Sequence, residues 1–347
     1  PSFSELMNGN ISINQFRDVE LIDLLGREEV SLDEDSINKF IRGKRVLITG
    51  HTGFKGSWLT TWLLRLNAKI CGVSLDIPTE TSMFNVLELE RLIEHHFCDV
   101  RDFKALNDIV SSFKPDFVFH LAAQAIVSTS YAEPLETIST NVLGTASMLN
   151  ASLSYWDKLK PNKKKNFKFI SVSTDEVYGS LDNQDFFNEK SQYKPNSPYS
   201  ASKASSDHLV RAWNKTYGLP TIITNCSNNY GSFQYPEKLI PLTIINAIRF
   251  KKIPVYGDGN QIRDWLHVKD HVNALIKIGE KGIIGKNYVI GGDCQISNLE
   301  LIERICDIID NLKPLRLNNK RFEELVMFVK DRLGHDKRYA IDFSKLS

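Results

Sequence analysis

Residues 45–57 read RVLITGHTGFKGS, an apolar run as long as a buried strand followed by a turn with the spacing Gly-x-x-Gly-x-x-Gly. The next stretch, Ser57–Leu66, has helical periodicity. The glycines permit a tight turn and let backbone N–H groups approach a phosphate, and the start of a helix favours negative charge. This pattern predicts the strand, turn and helix of a dinucleotide-binding unit. Its predicted cofactor contacts are Gly50, Gly53, Phe54 and Gly56.

The same alternation continues to about residue 225. Longer stretches with helical periodicity separate short apolar runs at 46–49, 70–75, 117–121, 167–172 and 221–225. Such alternation indicates an α/β fold in which helices cover both faces of a Rossmann-type, doubly wound parallel sheet. Gly, Pro and Asn punctuate the chain more often after Asn225, which predicts a smaller C-terminal α/β domain. The predicted divisions are an N-terminal extension (1–43), a Rossmann domain (44–225) and a second domain (226–347).

Composition and charge narrow the function classes. The chain has 347 residues, 42% of them hydrophobic, and 43 basic against 42 acidic side chains, a net charge of +1. These proportions are typical of a soluble globular protein and argue against a nucleic-acid binder. We expect a cytoplasmic protein with no membrane contact, because no apolar run is long enough for a span and no signal-peptide core is evident. Five scattered cysteines without a CxxC pair favour neither disulfides nor a metal site.

An acidic residue ends the second predicted strand. Asp76 stands twenty-six positions after Gly50, where a carboxylate can accept hydrogen bonds from an adenosine ribose. A carboxylate would repel a 2′-phosphate, so the pattern favours NAD over NADP. The alternative is that Asp76 is only a turn residue at the strand end.

Two groups of residues suggest catalysis. Tyr199 and Lys203 share one face of a helix that is expected to begin near Pro198. An ammonium group near a phenol lowers the pKa of the phenol, so Tyr199 could deprotonate an alcohol. Upstream, Asp175 and Glu176 follow a predicted strand end, where doubly wound sheets place their ligands. Mutual repulsion and burial could keep one carboxyl protonated as an acid and leave the other ionised as a base, as a dehydration requires. For Tyr199 and Lys203 the alternative is a chance pair on an exposed helix. For Asp175 and Glu176 the alternative is a solvated turn.

The motifs together resemble the extended short-chain dehydrogenase/reductases, and within them the nucleotide-sugar 4,6-dehydratases, most of all those acting on dTDP-glucose. The resemblance covers residues 44–347. It is densest in SPYSASKASSDH (197–208), TNCSNNYG (224–231), PEKLIP (236–241), RDWLHV (263–268) and GHDKRYAID (334–342).

The resemblance implies a reaction and its residues. Tyr199 would take the proton of the sugar 4-hydroxyl, with Thr174 hydrogen-bonding the developing carbonyl. Glu176 would remove the C5 proton and Asp175 would protonate the departing C6 hydroxyl, leaving a 4-keto-6-deoxy sugar and unchanged NAD. The second domain would bind the nucleotide sugar, and a homodimer is implied through the helix carrying Tyr199. Further implied cofactor contacts are Asp76, Asp99, Val100, Leu121, Ala122, Ala123, Asn141, Tyr199 and Lys203. Implied substrate contacts are Gln124, Thr174, Asn228, Lys238, Leu239, Tyr256, Arg263, Asn298, Arg332 and His335.

Parts of the chain depart from this pattern. The glycine loop and residues 124–134 look more like CDP-glucose 4,6-dehydratase, and residues 23–30 are similar to a segment of inverting UDP-N-acetylglucosamine 4,6-dehydratases. The C-terminal part follows the dTDP pattern, so dTDP-glucose is the leading substrate and CDP, GDP and UDP sugars stay open. Related enzymes continue through another helical segment beyond the position of Ser347, so we expect either an incomplete second domain or a more open pocket. A 4-epimerase on the same scaffold and a non-catalytic binder are the rival functions, and an epimerase has no use for an acid at C6.

Overall fold

The computed structural model describes residues 40–182, 185–312 and 321–345, built from twelve strands and the helices that separate them. The strands are β1 (Arg45–Thr49), β2 (Lys69–Ser74), β3 (Glu94–Phe97), β4 (Phe117–His120), β5 (Lys168–Thr174), β6 (Thr221–Cys226), β7 (Asn228–Tyr230), β8 (Ile253–Tyr256), β9 (Ile262–His267), β10 (Asn287–Ile290), β11 (Gln295–Ser297) and β12 (Val326–Val329). The α-helices are α1 (Phe54–Arg65), α2 (Met83–Val86), α3 (Phe103–Phe113), α4 (Val127–Ala132), α5 (Pro134–Ile138), α6 (Gly144–Asp157), α7 (Pro161–Lys164), α8 (Pro198–Tyr217), α9 (Leu239–Ile248), α10 (Val268–Lys281) and α11 (Asn298–Leu312).

Seven parallel strands form the main sheet in the order β10-β6-β5-β4-β1-β2-β3. The strand order reverses next to β1, which pairs with β2 on one side and β4 on the other. Ligands of such sheets bind in the crevice outside the carboxyl ends of the strands at this reversal. The predicted α/β doubly wound fold is confirmed.

The strands form where the sequence buries apolar residues on both faces. Val46, Leu47 and Ile48 of β1 are fully buried, as expected of a central parallel strand. One face packs on α3 and α6 in a core that includes Leu106 and Leu149. Because helices cover both faces of the sheet, we expect the ligand site at its carboxyl edge.

The two helices that matter most for the site begin close to their predicted positions. Helix α1 starts at Phe54, three residues before the predicted Ser57, because the turn ends at Gly53. Helix α8 starts at Pro198 as expected, with Ser197 and Ser200 forming a reciprocal capping box. The residue at which each helix begins determines which way the side chains of α1 and α8 point.

The region after residue 226 builds two small sheets, in the orders β11-β9-β7 and β12-β8. Strand β10 instead pairs with β6 and completes the main sheet, since Val289 and Ile290 are as buried as the residues of the other central strands. The Rossmann sheet thus takes one strand from the region predicted as the second domain. The predicted N-terminal extension, 1–43, lies outside the described residues except for 40–43; within them, the centroid of the Phe40 ring lies 5.2 Å from that of Phe117.

Within the described ranges, no helix combines the length and apolar character needed to cross a membrane. The five cysteines all lie within the described ranges, and no disulfide joins any two of them.

Candidate active site

The glycine turn brings three parts of the chain close together. Gly50 has φ +75°, and a Cβ on it would lie 2.9 Å from the backbone nitrogen of Ala122. A Cβ on Gly56 would lie 2.1 Å from the carbonyl oxygen of Gly50. Neither position can carry a side chain without moving the backbone, so β1, α1 and the segment after β4 meet here only because glycine occupies both.

The start of α1 suits a bound anion. Its N-cap, Gly53, provides no side-chain hydrogen bond, and the first turn holds no acidic residue. The first amides of this twelve-residue helix therefore face the turn without a protein cap. Pyrophosphate binding by Gly50, Gly53, Phe54 and Gly56 stays a prediction with which this helix start agrees.

The predicted ribose contact lies at the expected edge. Asp76 follows β2 with an exposed side chain, and its backbone carbonyl accepts a hydrogen bond of 2.6 Å from Thr52 Oγ1. Thr52 belongs to the glycine turn, so this bond fixes Asp76 beside it. The contact with a ribose stays a prediction.

Asp99 is more constrained than the sequence suggested. Arg101 holds both of its carboxylate oxygens, at 2.7 Å from Nη2 and 3.0 Å from Nε, and these hydrogen bonds lower the pKa of Asp99. Arg101 also bonds Glu136 at 2.7 Å. Val100 is buried against Gly144, where a Cβ would lie 2.7 Å from its side chain. Asp99 can therefore contact a cofactor only with oxygens that Arg101 already shares.

The segment after β4 is held by Thr49, whose Oγ1 accepts hydrogen bonds from the backbone nitrogens of Leu121 and Ala122 at 3.2 and 3.1 Å. These residues and Ala123 follow a strand end beside the glycine turn, as predicted for cofactor contacts. The preceding His120 is buried between Thr49 and Thr145.

Asn141 does not present its amide to a cofactor. It lies in a π-helical turn, Ser139–Leu143, and is buried. Its Nδ2 donates to Ser202 Oγ at 2.8 Å and to the carbonyl of Gln124 at 3.1 Å, while its Oδ1 accepts from the nitrogen of Gln124. Asn141 therefore ties the loop after β4 to helix α8, and its contact with a cofactor stays a prediction.

A cavity of about 260 Å³ opens next to these elements. Glu176 lines it, together with eight of the ten predicted substrate residues. Those eight are Asn228, Lys238, Leu239, Tyr256, Arg263, Asn298, Arg332 and His335.

The other two predicted substrate residues do not line this cavity. The amide of Gln124 is turned inward, donating to Thr137 Oγ1 at 2.9 Å and to the carbonyl of Ile126 at 3.0 Å, and it accepts from the nitrogen of Ile126. These bonds use both N–H groups of the amide, and the substrate contact of Gln124 stays a prediction. Thr174 is buried, and its hydroxyl donates to Asp175 Oδ1 at 3.3 Å.

The arginines of the cavity are fixed by neighbours that the sequence did not single out. Arg263 is buried, donates to the carbonyl of Asp336 at 2.9 Å, and lies over the ring of Tyr339 with its Cζ 4.4 Å from the centroid. The neighbouring Asp264 accepts hydrogen bonds from the backbone nitrogens of Gly292 and Cys294, between β10 and β11. Asp336 and Tyr339 lie within the stretch 334–342, whose match to the family was their only signal.

Arg332 takes part in a second series of polar contacts. Its Nη2 lies 2.6 Å from His335 Nε2, and His335 Nδ1 lies 2.6 Å from Asp331 Oδ1. Burial and the charge of Arg332 lower the pKa of His335. Asp331 thus orients His335, and through it Arg332, toward the cavity.

The two adjacent carboxyls differ in their surroundings. Asp175 is 1% exposed, and its Oδ2 has no hydrogen-bond partner in the described part of the chain. Burial and the charges of Glu176 and Asp264 raise the pKa of Asp175 well above its ordinary value. Burial also raises the pKa of Glu176, but the cations Lys238, Arg263 and Arg332 oppose the rise. The pair therefore favours a proton on Asp175 and a negative charge on Glu176, as an acid–base pair requires.

Tyr199 and Lys203 are both buried beside this pair. The expectation of a lowered pKa for Tyr199 is wrong for this structure: burial, followed by the neighbouring Glu176, Cys226 and Asp175, raises it well above its ordinary value. The physical reason is the burial of the phenol. The ammonium group of Lys203 donates to the carbonyl of Val172 at 3.0 Å.

A separate group of possible metal ligands lies on β2 and β3, outside the cavity. Atoms of Cys71, Glu94 and His96 lie within 4.8 Å of one another. Burial and the charge of Glu94 raise the pKa of the Cys71 thiol to about 12, which disfavours the thiolate that a metal needs. This group is not part of the candidate active site.

Comparisons with known proteins match the whole Rossmann and C-terminal region. Residues 47–347 match the family model of GDP-mannose 4,6 dehydratase. A probable dTDP-glucose 4,6-dehydratase of Sinorhizobium fredii is 47% identical over 304 residues, which are 87% of this chain and 86% of that protein.

Solved structures agree. The dTDP-glucose 4,6-dehydratase of Bacillus anthracis, in complex with NAD, superposes with a TM-score of 0.74 at 35% identity, covering 88% of this chain and 89% of that one. The enzyme of the same name from Streptomyces venezuelae, with NAD and TYD bound, gives 0.76 at 34% identity, covering 87% and 89%. With the family match and these identities, the chain belongs to the nucleotide-sugar 4,6-dehydratases, within the extended short-chain dehydrogenase/reductases.

Proposed function

We propose that the chain is an NAD-dependent dTDP-glucose 4,6-dehydratase, forming the dTDP-4-keto-6-deoxy sugar by loss of one water. The observation that carries the proposal is the unequal pair Asp175 and Glu176, held beside Tyr199 and a cavity lined by cations. The substrate follows from the names of the most similar relatives and from the C-terminal stretches that line the cavity.

The cavity supplies the charge that a nucleotide diphosphate needs. Lys238, Arg263 and Arg332 line it, and guanidinium groups match phosphate oxygens in geometry and charge. Asn228 and Asn298 add amide groups that can hydrogen-bond the phosphates, ribose or base. We propose that these residues hold the dTDP part and leave the hexose toward Glu176.

The Rossmann half would hold NAD. Gly50, Gly53 and Gly56 would cradle the pyrophosphate, and Asp76 would accept hydrogen bonds from the adenosine ribose. When bound, NAD accepts the hydride that leaves C4 and returns it to C6, and its oxidised ring carries a positive charge. Because the cofactor ends as it began, we expect it to copurify with the protein.

The chain's own residues would move the protons. Tyr199 takes the proton of the 4-hydroxyl as C4 is oxidised. Because burial and then negative neighbours raise its pKa, we expect this step to depend on the positive charge of Lys203 and of the occupied site. Thr174 would hydrogen-bond the new carbonyl oxygen.

Elimination would then use the two carboxyls. The C4 ketone acidifies the C5 proton, which Glu176 takes as base, and the C5 electron pair forms the C5–C6 double bond. The C6–O bond breaks, and Asp175 protonates the departing hydroxyl, which leaves as water. Hydride return to C6 and reprotonation of C5 by Glu176 complete the product. A 4-epimerase would have no use for the protonated Asp175.

The assembly and location are also proposals. We propose a homodimer through α8 and the neighbouring segment 134–143, because this segment exposes Leu135 (80%) and Leu143 (58%), which a partner would cover. We propose a cytoplasmic location, where sugar nucleotides and NAD are available.

The test is mass spectrometry of the purified protein, incubated separately with dTDP-glucose, CDP-glucose, GDP-mannose and UDP-N-acetylglucosamine and without added NAD. The expected result is loss of one water from dTDP-glucose alone. Tyr199→Phe is the control and should lose turnover while keeping bound NAD. Dehydration of another sugar nucleotide instead would correct the substrate, and epimerisation without loss of water would overturn the proposal.

A further inference from the structure

Asp207 is a buried carboxylate to which neither the fold nor the proposed chemistry assigns a task. It lies one turn after Lys203 on α8 and is 1% exposed. Its Oδ2 accepts three hydrogen bonds: from Ser173 Oγ at 2.9 Å, Tyr193 Oη at 3.0 Å and Asn225 Nδ2 at 3.0 Å. One oxygen thus joins β5, β6, α8 and the loop before α8.

The same network reaches the catalytic strand end. Ser173 directly precedes Thr174, and the Nδ2 of Asn225 also donates to the carbonyl of Thr174 at 3.2 Å. Asp207 therefore holds the last residues of β5 by two routes, through a hydroxyl and through an amide. The position of Asp175 and Glu176 depends on this strand end.

Packing alone does not explain a carboxylate here. The second oxygen, Oδ1, has no hydrogen-bond partner among the described residues. Burying a charge is costly unless another charge compensates it, and a neutral amide or an apolar side chain would fill the same space. The group that compensates the charge of Asp207 is the ammonium of Lys203, four residues earlier on the same face of α8.

We propose that Asp207 is a positioning residue that keeps Lys203 positively charged and fixes the end of β5 against helix α8. The proposal rests on the proposed function, in which Lys203 supports Tyr199. It gives this carboxylate a role that acts through Lys203 and not by contact with the substrate.

The charges around Lys203 agree with this role. Burial lowers the pKa of Lys203, and Lys55 from α1 lowers it further. Asp207 opposes this lowering of the Lys203 pKa most strongly, followed by Cys226 of β6. Burial likewise raises the pKa of Asp207, and Lys203 is the first group that opposes the rise. The two charges therefore maintain each other.

The groups facing Asp207 from other elements are mostly neutral donors, namely Ser173, Asn225 and Tyr193. His120, which also senses Lys203, has its pKa lowered to about 3 by burial and carries no charge at working pH. Lys203 is thus the cation that a change at Asp207 affects.

The test compares pH profiles of kcat for dTDP-glucose in the wild-type holoenzyme, Asp207→Asn and Tyr193→Phe. Asp207→Asn removes the charge with little change in shape. In the pH profile of Asp207→Asn, the basic limb, where Lys203 loses its proton, is expected to move down by about 1 pH unit. At pH values above that limb, kcat is expected to fall about tenfold. Tyr193→Phe removes one hydrogen bond to the same oxygen and keeps the charge, so its basic limb should stay in place.

Superimposable profiles for Asp207→Asn and the wild type would overturn the proposal, as would an equal shift in Tyr193→Phe. If the wild type dehydrates no sugar nucleotide, the proposed function has failed instead. If Asp207→Asn does not fold, the double variant with Lys203→Met, which removes both charges, is expected to fold and to show a cooperative urea transition. A double variant that also fails to fold would contradict the charge coupling.

Discussion

Replacing Asp175 with asparagine is expected to make the protein more stable and less active at the same time. The carboxyl is buried with Oδ2 unpartnered in the described chain, and burial raises its pKa well above 3.8. A group whose pKa rises on folding contributes full stability below its unfolded pKa and loses it as the pH rises through the folded value. The neutral asparagine avoids that loss.

The magnitude follows from the desolvation of one unpaired polar atom, which costs about 1–3 kcal/mol. Because asparagine leaves its own amide partly unpaired, we expect the free energy of unfolding to rise by about 1 kcal/mol near pH 8 and to be unchanged below the ordinary pKa of the carboxyl. Urea unfolding at the two pH values measures the difference. Loss of the acid should lower kcat by about 10²–10⁴-fold.

The neighbouring substitution Glu176→Gln is the matched control. Cations oppose the effect of burial on Glu176, so the gain in stability should be smaller. Asp175→Asn should still exchange the C5 proton with deuterated water, whereas Glu176→Gln should not. If Asp175→Asn is less stable than the wild type near pH 8, or turns over at the wild-type rate, the assignment of Asp175 as a buried, protonated acid is refuted.

Three further predictions concern binding and assembly. Gly56→Ala should purify with far less NAD per chain, measured by absorbance after denaturation, because its Cβ would lie 2.1 Å from the Gly50 carbonyl; full occupancy would contradict the cradle. Arg263→Met should raise the KM for dTDP-glucose by about 10–100-fold with a smaller effect on kcat, since a charge-assisted hydrogen bond is worth about 1.5–3 kcal/mol; an unchanged KM in steady-state kinetics would remove Arg263 from the substrate site. Leu143→Glu should yield a monomer by light scattering, because Leu143 is exposed in the proposed dimer surface; a dimer would place the interface elsewhere.

Short-range patterns in the sequence were enough to predict the Rossmann strands, the glycine turn and the start of α8. The turn needs glycine at Gly50 and Gly56 because backbone atoms occupy the space of a side chain, and α8 begins where Ser197 can cap it. Such signals lie within a few residues of one another. The family resemblance supplied the eight cavity residues, which come from segments far apart in the chain.

The sequence could not predict contacts that only the fold creates. Gln124 faces inward because Thr137, thirteen residues later, meets its amide. Arg101 holds Asp99 and also reaches Glu136, thirty-five residues away. The pKa of Tyr199 depends on burial and on where the ammonium of Lys203 points, and neither follows from their spacing on a helix.

The central claim is that one active site oxidises C4, expels water and returns the same hydride to C6. The most direct test is to incubate the purified protein with dTDP-glucose deuterated at C4, without added NAD, and to locate the label by NMR. We expect one water lost and the deuterium retained at C6 of the 4-keto-6-deoxy product. Loss of the deuterium to solvent, or a product that keeps its C6 hydroxyl, would contradict the account.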